Sequence, residues 1–323
     1  MKILANDGIS PAGKQKLEAA GFTVVTDKVD QAQLAEAINK EGYEVLLVRS
    51  ATTARKELID ACPNLKYIGR GGVGMDNIDV EYARSIGRTV FNTPGASSQS
   101  VAELVFAHLF NMVRFVYDSN RQMPVKGATE FGALKKKYAK GAELRGKTIG
   151  IIGFGRIGQA TAKYALGCGM NVIATDRGIE SATVTLEIAG TKEVSVEIQT
   201  VPLKDLLAQS DFISLHVPKI GDKALIGKEE LAMMKDGVVL VNTARGGMID
   251  ELALVDALNS GKVAHAGIDV FENEPTPRTE LLTHPKISLT PHIGAATEEA
   301  QDRIGEELAD FLIASYKQQT VGS

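Results

Sequence analysis

Three polar residues in the last third of the chain have the chemistry to act on one small molecule: Arg245, Glu274 and His292. An imidazole exchanges protons near neutral pH, so His292 is a candidate general acid or base. Glu274 is suited to holding the imidazolium in orientation, and Arg245 to gripping a carboxylate through two parallel hydrogen bonds. A ketone beside a carboxylate needs these parts when a hydride converts it to an alcohol: a proton for the alkoxide and a cation for the acid. Each residue follows an apolar run, Val238–Asn242 for Arg245, Ala264–Ile268 for Glu274 and Ile287–Thr290 for His292. Ligands of open α/β sheets gather beyond the carboxyl ends of strands, where such residues would sit.

The same half of the chain carries a strand, a glycine turn and a helix start: Thr148–Ile152, then Gly153, Gly155 and Gly158. In a G-x-G-x-x-G turn the first glycine permits the tight bend, the second lets the backbone approach a pyrophosphate, and the third lets helix pack on strand. The free N–H groups of the helix start then face the phosphates. The next strand, Asn171–Thr175, ends at Asp176, 18 residues beyond Gly158. A carboxylate there accepts hydrogen bonds from a ribose diol and repels a 2′-phosphate, which favours NAD over NADP. The neighbouring Arg177 softens that preference.

The elements that must position these groups alternate. Strand candidates Ile3–Asn6, Thr23–Thr26, Val45–Val48, Tyr67–Gly69 and Thr89–Phe91 are separated by helix-like stretches, the first opened by Ser10 and Pro11 as cap and first helical residue. A second series starts at Lys147 and continues through Phe212–His216. Such alternation means βαβ units and parallel sheets. The fold class is α/β with two doubly wound parallel-sheet domains. Between the two series the spacing predicts one long helix, Ser100–Asn120, followed by a polar connector or arm, residues 121–144, that holds the short basic tract Lys135, Lys136, Lys137. Residues 183–201 are rich in β-branched side chains and suggest a small ribbon, and a last helix is predicted over Thr297–Lys317.

A net charge of −4 and the absence of a long basic run argue against a nucleic-acid footprint. The longest apolar stretch, Val101–Tyr117, is interrupted by Glu103, His108 and Arg114 and is too short to span a bilayer. Cys62 and Cys168 lack the spacing of a zinc site or a disulfide framework, no metal site is expected, and the chain reads as cytoplasmic. His108 reads as a packing or interface residue, and His265 and His284 as structural or exposed.

The glycine turn, Ala244–Gly247, Asp269–Pro275 and Pro291–Gly294 match, in order and spacing, the D-isomer-specific 2-hydroxyacid dehydrogenases, and the resemblance runs from about Ile3 to the final helix. It implies a flavodoxin-like substrate or lid domain formed by residues 1–97 and 296–323, and a Rossmann NAD-binding domain, residues 98–295, whose long helix packs in a two-fold homodimer. It implies Arg245 as carboxylate anchor, Glu274 as the histidine's partner and His292 as general acid/base. The cofactor, NAD, would be met by Gly153, Gly155, Arg156, Ile157, Gly158, Asp176, His216, Val217, Thr243, Ala244, Asp269 and Gly294, with Asp269 at the nicotinamide carboxamide.

Within that family, Val48–Thr52 and Gly69–Asp79 resemble the D-3-phosphoglycerate dehydrogenases. In that branch Arg49 and Arg70 would line the phosphate end of the substrate, and the backbone of Gly72, Val73 and Gly74 would bind its carboxylate. The lysines 135–137 fall where the branch carries a basic arm that reaches the partner subunit's site. Many members carry a further C-terminal domain that binds serine; this chain stops after the final helix, so no inhibition of that type is expected. Two other readings stand beside this one: a glyoxylate or hydroxypyruvate reductase, in which Arg49 and Arg70 are structural, and a non-catalytic NAD(H)-sensing protein.

Overall fold

In the computed structural model, which describes residues 1–321 apart from Thr191, Ile220 and Asp222, the chain divides into two compact units. Met1–Ser98 and Ala295 onward form the first, Gln99–Gly294 the second.

The first unit contains β1 (Lys2–Ala5), α1 (Pro11–Ala19), β2 (Thr23–Val25), α2 (Leu34–Glu41), β3 (Val45–Val48), α3 (Lys56–Ala61), β4 (Tyr67–Arg70), α4 (Val80–Ser85) and β5 (Thr89–Asn92), closed by a C-terminal helix, Glu298–Val321. Its five strands are parallel in the order β2-β1-β3-β4-β5, the flavodoxin-like order. Side chains on a strand alternate faces. Val45 and Leu47 therefore pack against Ile304, Leu308 and Leu312 of the C-terminal helix, while Leu46 and Val48 pack against Leu34, Ile38 and Leu58. A strand buried on both faces reads as an unbroken apolar run, as Val45–Val48 does. Ser10 caps α1 by accepting from the Gly13 N–H at 3.2 Å.

The second unit begins with α5 (Ser98–Val113) and α6 (Val116–Lys137). Two expectations are corrected here. The predicted single helix over Ser100–Asn120 breaks at Phe115, whose left-handed backbone (φ 54°) ends one helix and starts another. The predicted connector is mostly helix. Of α6's residues only Leu134 is buried, so the segment has no apolar stripe to reveal its period despite Pro124 within it and non-helical torsions at Glu130.

Then come β6 (Thr148–Ile152), α7 (Arg156–Gly167), β7 (Asn171–Thr175), β8 (Ser181–Leu186), β9 (Val194–Gln199), α8 (Leu203–Gln209), β10 (Phe212–Leu215), α9 (Lys228–Met233), β11 (Val238–Asn242), α10 (Glu251–Ser260), β12 (Val263–Ile268), α11 (Thr279–Leu282) and β13 (Ile287–Leu289). Six strands form one parallel sheet in the order β13-β12-β11-β10-β6-β7. The β-branched segment is an antiparallel hairpin, β8 with β9, that buries Val184 and Ile198 in the core shared with α7. No helix among the described residues is long and apolar enough to cross a membrane.

Candidate active site

The register of the second sheet places one row of residues across its carboxyl edge: Thr175, Ile152, Leu215, Asn242, Ile268 and Leu289 are successive partners. The residues immediately beyond that row are Asp176, Gly153, His216, Thr243, Asp269 and Thr290. Most candidates of this half of the chain therefore emerge along one sheet edge, in the spatial order Asp176, the glycine turn, His216, Arg245, Glu274, His292. The chain leaves β6 toward β7 on one side and returns to β10 on the other, which makes the β6/β10 edge a topological switch point, the usual ligand crevice of such sheets.

His292 projects from the turn after β13. Its Nδ1 lies 2.8 Å from Glu274 Oε2, and Glu274 Oε1 accepts from the Phe271 N–H at 2.9 Å. A carboxylate can only accept, so the ring proton is on Nδ1 and the nitrogen left open is Nε2, which has no hydrogen bond among the described residues. Both side chains are accessible, His292 at 43% and Glu274 at 37%, so a diffusing molecule can reach them. The backbone of His292 is left-handed (φ 55°), a conformation that costs an L-residue of order 1 kcal/mol. Asp269 compensates for it. Its carbonyl accepts the His292 N–H at 2.8 Å, and its buried carboxylate accepts from Ile293 N at 2.8 Å, Gly294 N at 2.9 Å and the Thr290 hydroxyl at 2.6 Å.

Arg245 sits on the turn after β11. Asn242 shapes that turn: its Nδ2 donates to Arg245 O at 2.9 Å and its Oδ1 accepts from Ala244 N at 3.1 Å. Arg245 Nη1 donates to Ala244 O at 2.7 Å. The next residue, Gly246, lies against the loop that carries Glu274; a Cβ there would stand 1.8 Å from Phe271 O. That loop is held from beneath by Glu251, which accepts from Glu272 N at 2.8 Å and pairs with Arg278 at 3.2 Å. Burial pushes the Glu251 carboxyl above its ordinary value.

The glycine turn fits a pyrophosphate. At Gly153 (φ 94°) a Cβ would lie 2.7 Å from His216 O, and at Gly158 one would lie 2.1 Å from Gly153 O, so both are required by close packing. At Gly155 nothing lies within 4 Å of that position, and the start of α7 has no side-chain cap, which leaves backbone N–H donors of Arg156 and Ile157 facing open space. Asp176 ties the turn to the next strand: its carboxylate accepts from Phe154 N at 2.7 Å and Gly178 N at 2.8 Å. Beside it opens a cavity of about 590 Å³ lined by Ile152, Asp176, Arg177, Val217, Leu225 and Met248. Thr175, Lys223 and Glu230 also line it, so it is a largely apolar slot with charged groups around it, of a size and character suited to a nucleoside. His216 faces the turn with its Nδ1 screened from water and unpartnered, while Nε2 meets the Ser214 hydroxyl at 2.9 Å and the Thr161 hydroxyl at 3.2 Å. Burial pushes its pKa down to about 3, so the ring is neutral. Thr243 is buried and Ala244 half-buried beside it in sequence.

The substrate candidates Arg49, Arg70, Gly72, Val73 and Gly74 belong to the first unit. Arg49 follows β3 and Arg70 ends β4, on adjacent strands. Asp7 and Asn77 clasp the Arg49 loop: Asp7 Oδ2 accepts from the N–H groups of Arg49 at 2.7 Å and Thr52 at 3.0 Å, and Asn77 Nδ2 donates to the carbonyls of Arg49 at 2.7 Å and Thr52 at 2.6 Å. Burial alone would raise the Asp7 carboxyl, but these donors with the Thr52 hydroxyl and Lys28 hold it below the carboxylate range. The Arg49 guanidinium has no partner among the described residues and lines a cavity of about 660 Å³ with Ser10, Gln301 and Asp302. Gly72 N–H already donates to Thr93 Oγ1 at 2.8 Å, so the loop's available donors are those of Val73 and Gly74. Arg70 donates to Gly71 O.

The profile of the D-isomer specific 2-hydroxyacid dehydrogenase NAD-binding domain matches residues 106–294, more than half of the chain. The chain belongs to that family. Its cofactor is NAD, and its reaction is the NAD-dependent dehydrogenation of small 2-hydroxy acids. The chain is 44% identical over 316 residues to a hydroxypyruvate reductase of Thermotoga maritima, covering 96% of this chain and 97% of that one. It is 40% identical over 313 residues to a D-3-phosphoglycerate dehydrogenase of Methanocaldococcus jannaschii, covering 97% of this chain but only 57% of that longer one. The crystal structure of a glyoxylate reductase from Paecilomyes thermophila superposes with a TM-score of 0.79 at 34% identity, covering 97% of this chain and 94% of that one.

In this 2-hydroxyacid dehydrogenase several supporting residues were not apparent from sequence reasoning: Asn242, Gly246, Glu251, Thr290 and His108. Thr290 carried a signal, since it immediately precedes the Pro291–His292 pair. His108 is buried as its helical position suggested, yet it bonds Ser288 and Thr290 as well as packing. His265 rests edge-on against Phe115, and His284 meets Asn259 at 3.3 Å.

Proposed function

We propose that this dehydrogenase interconverts D-3-phosphoglycerate and 3-phosphohydroxypyruvate. The observation that carries the reading is the pair Arg49 and Arg70 at adjacent strand ends, one of them with its guanidinium unpartnered. A phosphorylated three-carbon acid is highly anionic, and guanidinium forks suit both its ends. Bound nicotinamide supplies or takes the hydride at C2. His292 gives the proton to the forming alkoxide or removes it from the alcohol, Glu274 keeps the imidazole turned with Nε2 outward, and Arg245 holds the carboxylate. Exposed Tyr117, Val125 and Phe131 on α6 are the apolar surface that supports a homodimer.

The test is a panel with NADH comparing 3-phosphohydroxypyruvate, hydroxypyruvate, glyoxylate and pyruvate. The phosphorylated acid is expected to lead in kcat/KM by at least about 100-fold, because its loss leaves half-buried cations without their anion. A second reading, hydroxypyruvate reductase, is favoured by the Thermotoga maritima relative, which matches over nearly its whole length. Equal rates on the two hydroxypyruvates, unchanged by converting Arg49 and Arg70 to Met, would decide for it.

Asp176 is read as the discriminator between cofactors. Asp176→Asn keeps one oxygen, enough for either the Phe154 or the Gly178 N–H but not both, and removes the charge that repels a 2′-phosphate. The ratio of kcat/KM for NADPH to that for NADH is expected to rise by roughly tenfold or more. A ratio that stays put assigns the discrimination elsewhere.

A further inference from the structure

A line of half-buried hydrogen bonds runs from α5 to the turn that carries His292. Asn111 Nδ2 donates to Ser288 Oγ at 2.8 Å; Ser288 Oγ lies 2.8 Å from His108 Nδ1; His108 Nε2 lies 3.1 Å from Thr290 Oγ1; and Thr290 Oγ1 donates to Asp269 Oδ1 at 2.6 Å. Each hydrogen has only one place in this line. A carboxylate accepts, so the single Thr290 proton goes to Asp269 and the Thr290 oxygen must accept from His108. That sets the proton on Nε2 and leaves Nδ1 bare. Nδ1 then accepts from Ser288, whose oxygen is free to accept from Asn111. The line is consistent throughout with a neutral imidazole in one tautomer, and burial, only partly opposed by the charge of Asp269, pushes His108 toward that neutral form.

The ring is locked by shape as well. It lies on Gly267 of β12, where an added Cβ would stand 2.9 Å from the His108 Cβ and 3.0 Å from Cγ. His108 and Asp269 are buried, so the network is worth keeping only when these members are satisfied, and it ends on the carboxylate that holds the left-handed backbone of His292.

We propose that His108 is a positioning residue for His292: through the Thr290 hydroxyl it orients the Asp269 carboxylate, which holds the Thr290–Gly294 turn from which the reacting imidazole projects. The inference rests on His292 being the acid–base group. It assigns a kinetic role to a histidine that touches neither ring nitrogen of His292 and that a helix-face pattern would class as core.

The experiment compares His108→Leu, Thr290→Val, Thr290→Ser and the Leu/Val double variant with wild type. It uses NADH and whichever of 3-phosphohydroxypyruvate and hydroxypyruvate is turned over faster, with NADH affinity followed by fluorescence titration. His108→Leu and Thr290→Val are each expected to lose about 10- to 100-fold in kcat, the usual cost of misplacing a reacting group, while KM and NADH affinity stay within about threefold. The double variant is expected to be no slower than the slower single one, because both cut the same line. Thr290→Ser, which keeps the hydroxyl, restores most of what Thr290→Val loses. Should His108→Leu not fold, the Val/Ser contrast at 290 still decides. Wild-type kcat in His108→Leu or Thr290→Val, or losses that multiply in the double variant, overturns the proposal. His292→Gln in the same assay separates the two levels: if it too turns over normally, the acid–base reading is what has failed.

Discussion

His292→Gln is expected to lower kcat by about 10²–10⁴-fold, the range for losing a general acid/base, with NADH affinity nearly unchanged. The amide can occupy the same volume and still hydrogen-bond Glu274, now 2.8 Å from the ring, but it cannot pass a proton to an alkoxide. The pyrophosphate and ribose candidates, Gly153–Gly158 and Asp176, follow β6 and β7, whereas His292 follows β13 at the far edge of the sheet, so most of the binding and the chemistry should separate. Steady-state kinetics with a fluorescence titration of NADH read both quantities; a loss below tenfold removes His292 from the role. Glu274→Gln tests the partner. It keeps the volume but lets an N–H face Nδ1, so the imidazole loses its fixed tautomer and a smaller loss in kcat is expected.

The second large effect concerns a residue with no functional group. Gly246→Ala places a methyl 1.8 Å from the carbonyl oxygen of Phe271 and 2.7 Å from Glu272 N, backbone atoms that cannot step aside as a side-chain tip can. The loops carrying Arg245 and Glu274 must separate. Stability should fall at or beyond the upper end of the ~1–3 kcal/mol typical of over-packing. Turnover should fall further than stability, since guanidinium and carboxylate are displaced together. Thermal unfolding and kcat/KM on the same preparation check it. A variant with wild-type Tm and rate would show that the two loops are not rigidly set against each other.

The strands were legible because they are buried on both faces: Val45–Val48 has no polar interruption, and the parallel sheets follow from alternation with helices. Arg245, Glu274 and His292 were legible as polar residues placed just after such runs. What the sequence could not carry is lateral order. Nothing in Asn242 announces that Ile268 and Leu289 lie beside it, and Gly246 matters only because a carbonyl 25 residues later approaches it. The same limit hid the His108 line, whose partners Ser288 and Thr290 are 180 and 182 residues away. Helix α6 escaped for a different reason. A helix that buries one side chain, Leu134, need not show the period by which helices are recognised in sequence.

The common row at the carboxyl edge also determines which changes the enzyme tolerates. Strand residues advance about 3.3 Å each and alternate sides, so deleting one residue from β11, β12 or β13 would both retract the candidate site residue that follows it and rotate it to the opposite surface. Exchanges or insertions beyond the row leave that alignment alone; the hairpin after Asp176 is a built-in instance, a whole ribbon added without disturbing β6 or β7. On the role proposed for Arg49 and Arg70, substrate choice sits on a separate sheet and is freer still. Relatives named for different acids can share one chemical apparatus because their differences need not reach it.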